Sequence, residues 1–343
     1  MKDKNLDIIQ VYRGIAALMV AIFHFWIHMS HFFNDSFSSI RFITSIGAFG
    51  VDFFFVLSGF IISFSYVNKE ITIKKYLSNR YLRIFLPYIP LGIIFGLGYT
   101  FFPNLSFEGV SFNWFATLTL IPVGTTSLVV AWSLMHEILF YFIFIIAIIN
   151  YKKYNYFLII WSFLIIIYNY YLQKNLFDSE ILNLTSIDSL DFFISKFFHL
   201  YNFEFILGYI CYLSLDYFKN KKFTIFLAVF LFIGFVISYY LDLHFIILKT
   251  LYSLFSFWLI IIAYQYKDII ISKNNFFMKM GNYSYSLYLL HIPIQIVFFR
   301  IFPHFNVWVT FFVGILLLLL CSFIYSEIFE KKLFFYFKSK LKI

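Results

Sequence analysis

The sequence predicts an all-α fold: a polytopic membrane helix bundle with about ten transmembrane helices and both termini cytoplasmic. Three observations lead there. Of 343 residues, 62% are hydrophobic and only 13% charged, about half the charge of a soluble domain. Apolar runs near the ~20 residues that a bilayer requires recur from end to end. Lysine and arginine then fall on alternate sides of those runs.

The spans, in order, are 8–30, 46–67, 84–103, 129–149, 155–173, 198–216, 223–241, 245–265, 283–302 and 307–329. The start, Met1-Lys2-Asp3-Lys4, leads into a run too long for a signal h-region and is read as a retained first helix. With the N-terminus inside, the outer side and its helix ends keep Arg41, Lys174, Lys196, Lys249 and Arg300, and Arg13 lies within a span. That leaves 20 of the 26 basic residues on the cytoplasmic side, which sets the orientation. It also accounts for the net charge of +9 without a nucleic-acid partner; the surrounding partners are membrane lipids. No polar stretch is long enough to fold alone, so 1–343 is read as a single membrane domain with no appended soluble domain. Cys211 and Cys321 lie in apolar segments and read as small buried spacers. The outer loops, 31–45, 104–128 and 174–197, are the longer ones. Trp114, Phe115, Leu118 and Leu120 suggest that the second dips back toward the membrane, which needs shielding by protein or a wet cavity.

Ionisable groups inside spans are costly and need a reason. In the first span, Arg13 and His24 are eleven residues apart. At about 100° per residue they return to within about 20° of each other, roughly 16 Å apart along the axis. They form a polar seam, with a cation near one membrane face and a proton acceptor further across. In the second span, Asp52 near the outer end and Ser58-Gly59 at mid-depth read either as helix packing or as the lining of the cavity that His24 faces. Gly59 permits a close helix approach. Arg80 and Arg83, three apart before the third span, share a face. They suit bidentate phosphate contacts or are ordinary cytoplasmic charge.

The fourth span opens Trp132-Ser133-Leu134-Met135-His136-Glu137. Glu137 is a carboxylate ahead of an unbroken apolar run. It reads either as the group that orients His24, as carboxylates do in catalytic triads, or as a structural acid bonded to a Ser or Tyr. In the ninth span Ser284, Tyr288 and His291 recur at i, i+4 and i+7, a polar face that should look inward. His24, His28 and His31 carry a zinc-like spacing, but His28 and His31 fall at the wet outer interface, and no metal is expected.

Together these residues resemble the acyltransferase-3 family of bacterial integral-membrane acyltransferases, over nearly the whole chain. Arg13 and His24 match its Arg–ten residues–His signature, and Gly50 to Phe60 its glycine-to-Ser-Gly-Phe segment. Arg80 and Arg83 match its paired-arginine loop, Trp132-Ser133-Leu134 with Glu137 its Trp-Ser-Leu-x-x-Glu box, and Gly281 to His291 its Ser-Tyr-x-x-Tyr-Leu-x-His element. One departure is that Glu330 is followed by Lys331 and Lys332, where the family often has a Glu followed shortly by Pro. Many members also append an extracytoplasmic hydrolase-like domain, whereas this chain is expected to complete transfer itself or to use a separate extracytoplasmic partner.

The resemblance implies a single membrane acyltransferase domain in the bacterial inner membrane. It would move an acyl group, in the first instance acetyl, to a hydroxyl of a surface polysaccharide or other envelope saccharide, lipid-linked or not. No cofactor is bound permanently; cytoplasmic acetyl-CoA is the donor substrate. Arg13, Arg80 and Arg83 would bind it, with His24 as general base, or as the bearer of an acyl group, and Glu137 and Arg13 beside it. Asp52, Ser58, Trp132, Ser133, Ser284, Tyr288 and His291 would line the cavity. The alternative from a different class is a transporter or flippase for a lipid-linked glycan that uses Arg13, His24 and Glu137 as a proton or anion path.

Overall fold

Every long apolar run of the described chain is a helix, because a membrane interior leaves backbone groups no partner except each other. The computed structural model describes residues 6–30, 44–67, 69–102, 112–169, 189–301 and 306–340. His31, Arg41 and Lys174, most of the outer loops and both chain ends lie outside them.

The helices are α1 (Asp7–Ser30), α2 (Gly50–Tyr66, preceded by a 3-10 turn at Ile46–Phe49), α3 (Ile73–Phe101), α4 (Trp114–Thr119), α5 (Trp132–Ile149), α6 (Tyr151–Ile167), α7 (Ser189–Phe197), α8 (Tyr201–Ser214), α9 (Lys221–Tyr240), α10 (Phe245–Gln265), α11 (Phe276–Asn282), α12 (Ser284–Ile301), α13 (Val307–Tyr325) and α14 (Phe334–Lys340). No strand occurs among the described residues. Seven helical stretches there are long and apolar enough to cross a membrane. The other three expected spans are helices at their expected places but shorter: α6 has 17 residues, α8 has 14, and α12 counts as a shorter apolar helix over Ser284–Phe299.

Helix starts follow capping chemistry. Asn113, Asn150, Asn220, Asn275 and Asn306 each accept a backbone N–H of the helix they open, which satisfies one of the donors left over in the first turn. Thr72 does the same for α3 by accepting from Lys75 N. That cap starts α3 eleven residues before the expected span at 84, so Arg80 and Arg83 sit inside the helix rather than in a loop.

The chain divides into two compact units, Met1–Phe64 with Glu204–Ser326, and Ser65–Phe203 with Glu327–Ile343. In the first, α1 packs against α11, α12, α13 and the turn at 46–49, and α9 pairs with α10. The close approach expected at Gly59 is real: a Cβ there would strike the Phe205 carbonyl of α8, and one on Gly208 would strike the Val56 carbonyl of α2. Both helices meet backbone to backbone. Phe49, Phe235 and Tyr252 fill the adjoining core, with ring centroids 5.1–5.4 Å apart. Phe226, Phe230, Ile233 and Ile237 of α9 point outward and exposed, as a lipid-facing surface requires.

In the second unit α3 packs against α4, α5 and α14, and α5 against α6. The 113–128 segment returns along α3 as the short helix α4. Ala116 and Leu120 are buried there, and Ser127 Oγ donates to Gly92 O at 2.7 Å. Its irregular backbone is thus shielded by α3, as the sequence required.

Candidate active site

α1 runs unbroken from Asp7 to Ser30, so Arg13 and His24 share one helical face, about 16 Å apart in height. Arg13 is held low on it: its Nη1 donates to Gln10 Oε1 at 3.0 Å, and Gln10 Nε2 donates to Asn282 Oδ1 at 2.9 Å. Gln10 thereby ties the guanidinium to the junction of α11 and α12.

His24 is half-buried, with Nδ1 2.9 Å from the Val20 carbonyl oxygen. A carbonyl can only accept, so Nδ1 carries the hydrogen and Nε2 carries the lone pair of the neutral ring. His291 of α12 lies beside it, ring centroids 4.8 Å apart and tilted by 58°. Its Nδ1 is 2.5 Å from Tyr288 O, which fixes the same tautomer. His291 is 1% exposed, and Ser284 and Tyr288 on the same face are also buried. The polar stripe of the ninth span therefore looks inward, as expected, and it meets α1 at His24.

Asp52 has a partner the sequence reading missed. Lys249 Nζ of α10 lies 2.6 Å from Asp52 Oδ1 and 2.8 Å from Glu204 Oε1 of α8, and Ser253 Oγ donates to the same Glu204 oxygen at 3.2 Å. All three charged side chains are at most 6% exposed. Glu204 could have been suspected as a carboxylate within an apolar run; Lys249 was read as an outer helix end. Ser58, about one and two-thirds turns further along α2, is half-buried.

The second unit holds the remaining candidates. Arg83 is exposed, whereas Arg80 is 7% exposed. The Arg80 guanidinium carbon sits 4.9 Å from the Tyr66 ring centroid and 5.5 Å from that of Tyr141. Such stacking suits the flat, weakly hydrated guanidinium. Tyr141 also donates its hydroxyl to Glu137, one turn back on α5, and accepts at its carbonyl from Tyr76 Oη at 3.0 Å. Glu137 thus has the tyrosine partner foreseen in its structural reading. Ser133 Oγ donates to Val130 O at 3.2 Å, and Trp132 packs on Tyr201 at 5.1 Å. His136 and His199, 5.1 Å apart and both buried, pack against Tyr201 and form a second imidazole pair, of which only His136 falls in a sequence motif.

What this arrangement can do is take a proton in a low-dielectric site, with a membrane-embedded cation, Arg13, about 16 Å below it on the same helix face. The model of the family described as an acyltransferase domain, acyltransferase-3, matches residues 6–327. Neither the comparison with curated proteins nor that with solved structures gives a match. The family decides between the enzyme and the transporter readings. With its helical spans, its Arg–ten residues–His helix and this match over nearly its whole length, the chain belongs to the acyltransferase-3 family and is an acyl-transferring multi-pass membrane enzyme.

Proposed function

We propose that the chain is an O-acyltransferase of the bacterial inner membrane. It takes acetyl from cytoplasmic acetyl-CoA and gives it to a hydroxyl of an envelope saccharide, with His24 as the general base. The observation that carries this is the bond from His24 Nδ1 to Val20 O. It turns an imidazole at membrane depth into a base of one defined tautomer, with Nε2 as its basic atom. His24 Nε2 takes the acceptor hydroxyl's proton while the oxygen attacks the thioester carbon. The C–S bond breaks, and the proton passes to the thiolate of CoA. A positioned base supplies roughly 10²–10⁴-fold.

The lysine and arginine distribution supports a donor that arrives from the cytoplasm. Arg83, exposed and cationic, is assigned to the donor's phosphates. Arg13, held by Gln10 below His24, is assigned to the donor's negative charge nearer the membrane. Arg80 is the third cation of the donor assignment, its charge set between tyrosines. Glu137 is kept as a required carboxylate, to be tested on its own. The purified chain is expected to complete the transfer itself; transfer only on addition of an extracytoplasmic fraction would assign the last step to a separate partner.

Purified full-length chain is given labelled acetyl-CoA and saccharides extracted from the envelope. Wild type should move label into the saccharide fraction, and His24→Ala should bring this to background at unchanged expression. Full transfer by His24→Ala would remove His24 as base.

A further inference from the structure

His24 and His291 present a problem of hydrogen bookkeeping. Each ring spends its Nδ1–H on a backbone carbonyl of its own helix, His24 on Val20 and His291 on Tyr288. In the neutral state, then, the Nε2 of each is an acceptor. His291 Nε2 is buried and makes no hydrogen bond, in a ring that is 1% exposed. Burying an acceptor without a donor is unfavourable, and the neighbour at 4.8 Å is His24. The pair is one hydrogen short. A proton arriving on His24 supplies that hydrogen, because the imidazolium Nε2–H is a donor.

We infer that His291 is the positioning partner of His24: its Nε2 accepts a hydrogen bond from the His24 imidazolium formed during transfer. This rests on the reading of His24 as base. The proton comes from the acceptor O–H, whose electron pair forms the new C–O bond. On His24 Nε2 the hydrogen is shared in a three-centre bond, with His291 Nε2 accepting on one side and the CoA sulfur on the other, and it leaves on that sulfur as the C–S bond breaks. His291 gains no net proton. The arrangement favours the step because the interaction exists only once charge has developed, which is when it accelerates. Around the pair, Tyr288 contributes a titratable hydroxyl on α12, with its ring 5.5 Å from that of His291. The 46–49 turn and α13 bring Gly47, Phe311 and Gly314 against α1 here, none of which titrates.

The test uses the full chain, acetyl-CoA as the donor probe and CoA thiol release as the readout, with the envelope saccharide extract present. His291→Phe keeps a flat ring without the acceptor. It should lower kcat roughly 10²-fold, the lower end for a positioned acid–base group, with the KM for acetyl-CoA unchanged. His291→Gln places an amide oxygen near the position of Nε2 and should stay within about threefold of wild type. Should His291→Phe not fold, His291→Gln still decides: loss of turnover in that variant overturns the acceptor role. Near-wild-type turnover in His291→Phe, with His24→Ala inactive, overturns the inference and leaves the base in place. Turnover in His24→Ala overturns the base reading itself.

Discussion

Lys249 Nζ lies 2.6 Å from Asp52 Oδ1, between α10 and α2 in the interior of the first unit, and 2.8 Å from Glu204 of α8. One ammonium thus joins three helices. Two carboxylates and a lysine out of water are costly to desolvate, and what keeps them there is their mutual attraction.

Removing the lysine should therefore be worse than removing the whole group. Lys249→Met leaves two buried carboxylates without their cation and should destabilise by about 3–5 kcal/mol. The triple variant Lys249→Met, Asp52→Asn, Glu204→Gln should recover much of that loss. Thermal unfolding in detergent reads both, and equal loss in the two would refute electrostatic locking.

The two arginines of α3 should separate by phenotype. Arg83→Ala, on an exposed side chain, should raise the KM for acetyl-CoA with little effect on melting. Arg80→Ala removes a cation stacked on Tyr66 and Tyr141 and should cost about 2 kcal/mol of stability. Identical donor-affinity losses at unchanged melting temperature would show that both serve the donor alone.

Tyr141→Phe keeps the ring under Arg80 and removes the hydroxyl that Glu137 accepts from. A stability loss of about 1–3 kcal/mol is expected from the underbonded carboxylate. Comparing its turnover with that of Glu137→Gln reads the carboxylate's function directly. If Glu137→Gln keeps full turnover, Glu137 is structural.

Gly208→Ala should be poorly tolerated, because its Cβ would meet the Val56 carbonyl and the Phe60 N of α2. Neither backbone atom can move aside without shifting a helix, so a loss of about 1–3 kcal/mol is expected. Gly98→Ala, with nothing near its Cβ, is the control, and its melting temperature should match wild type.

Arg13→Lys keeps the charge but loses the planar fork that meets Gln10. Its KM for acetyl-CoA should rise severalfold with kcat little changed. An unaltered KM would detach Arg13 from the donor.

The helical spans, the Arg13–His24 seam and the inward stripe Ser284–Tyr288–His291 were legible in the sequence. Helical periodicity is local: eleven residues fix an angle and a rise whatever surrounds them. So was the tight approach at Gly59. The partners were not legible. Asp52 reads as an acid near the end of an apolar run, and only the packing of α2, α8 and α10 supplies Lys249 from 197 positions away. Arg80 and Arg83 look alike by spacing, yet one is under tyrosines and the other exposed. Burial is decided by what packs across a helix and not by the helix itself. His24 was a candidate base from its position alone, but its tautomer and its neighbour His291 belong to the tertiary structure. They depend on a carbonyl one turn back and on a second helix, 267 residues further along the chain, brought alongside it.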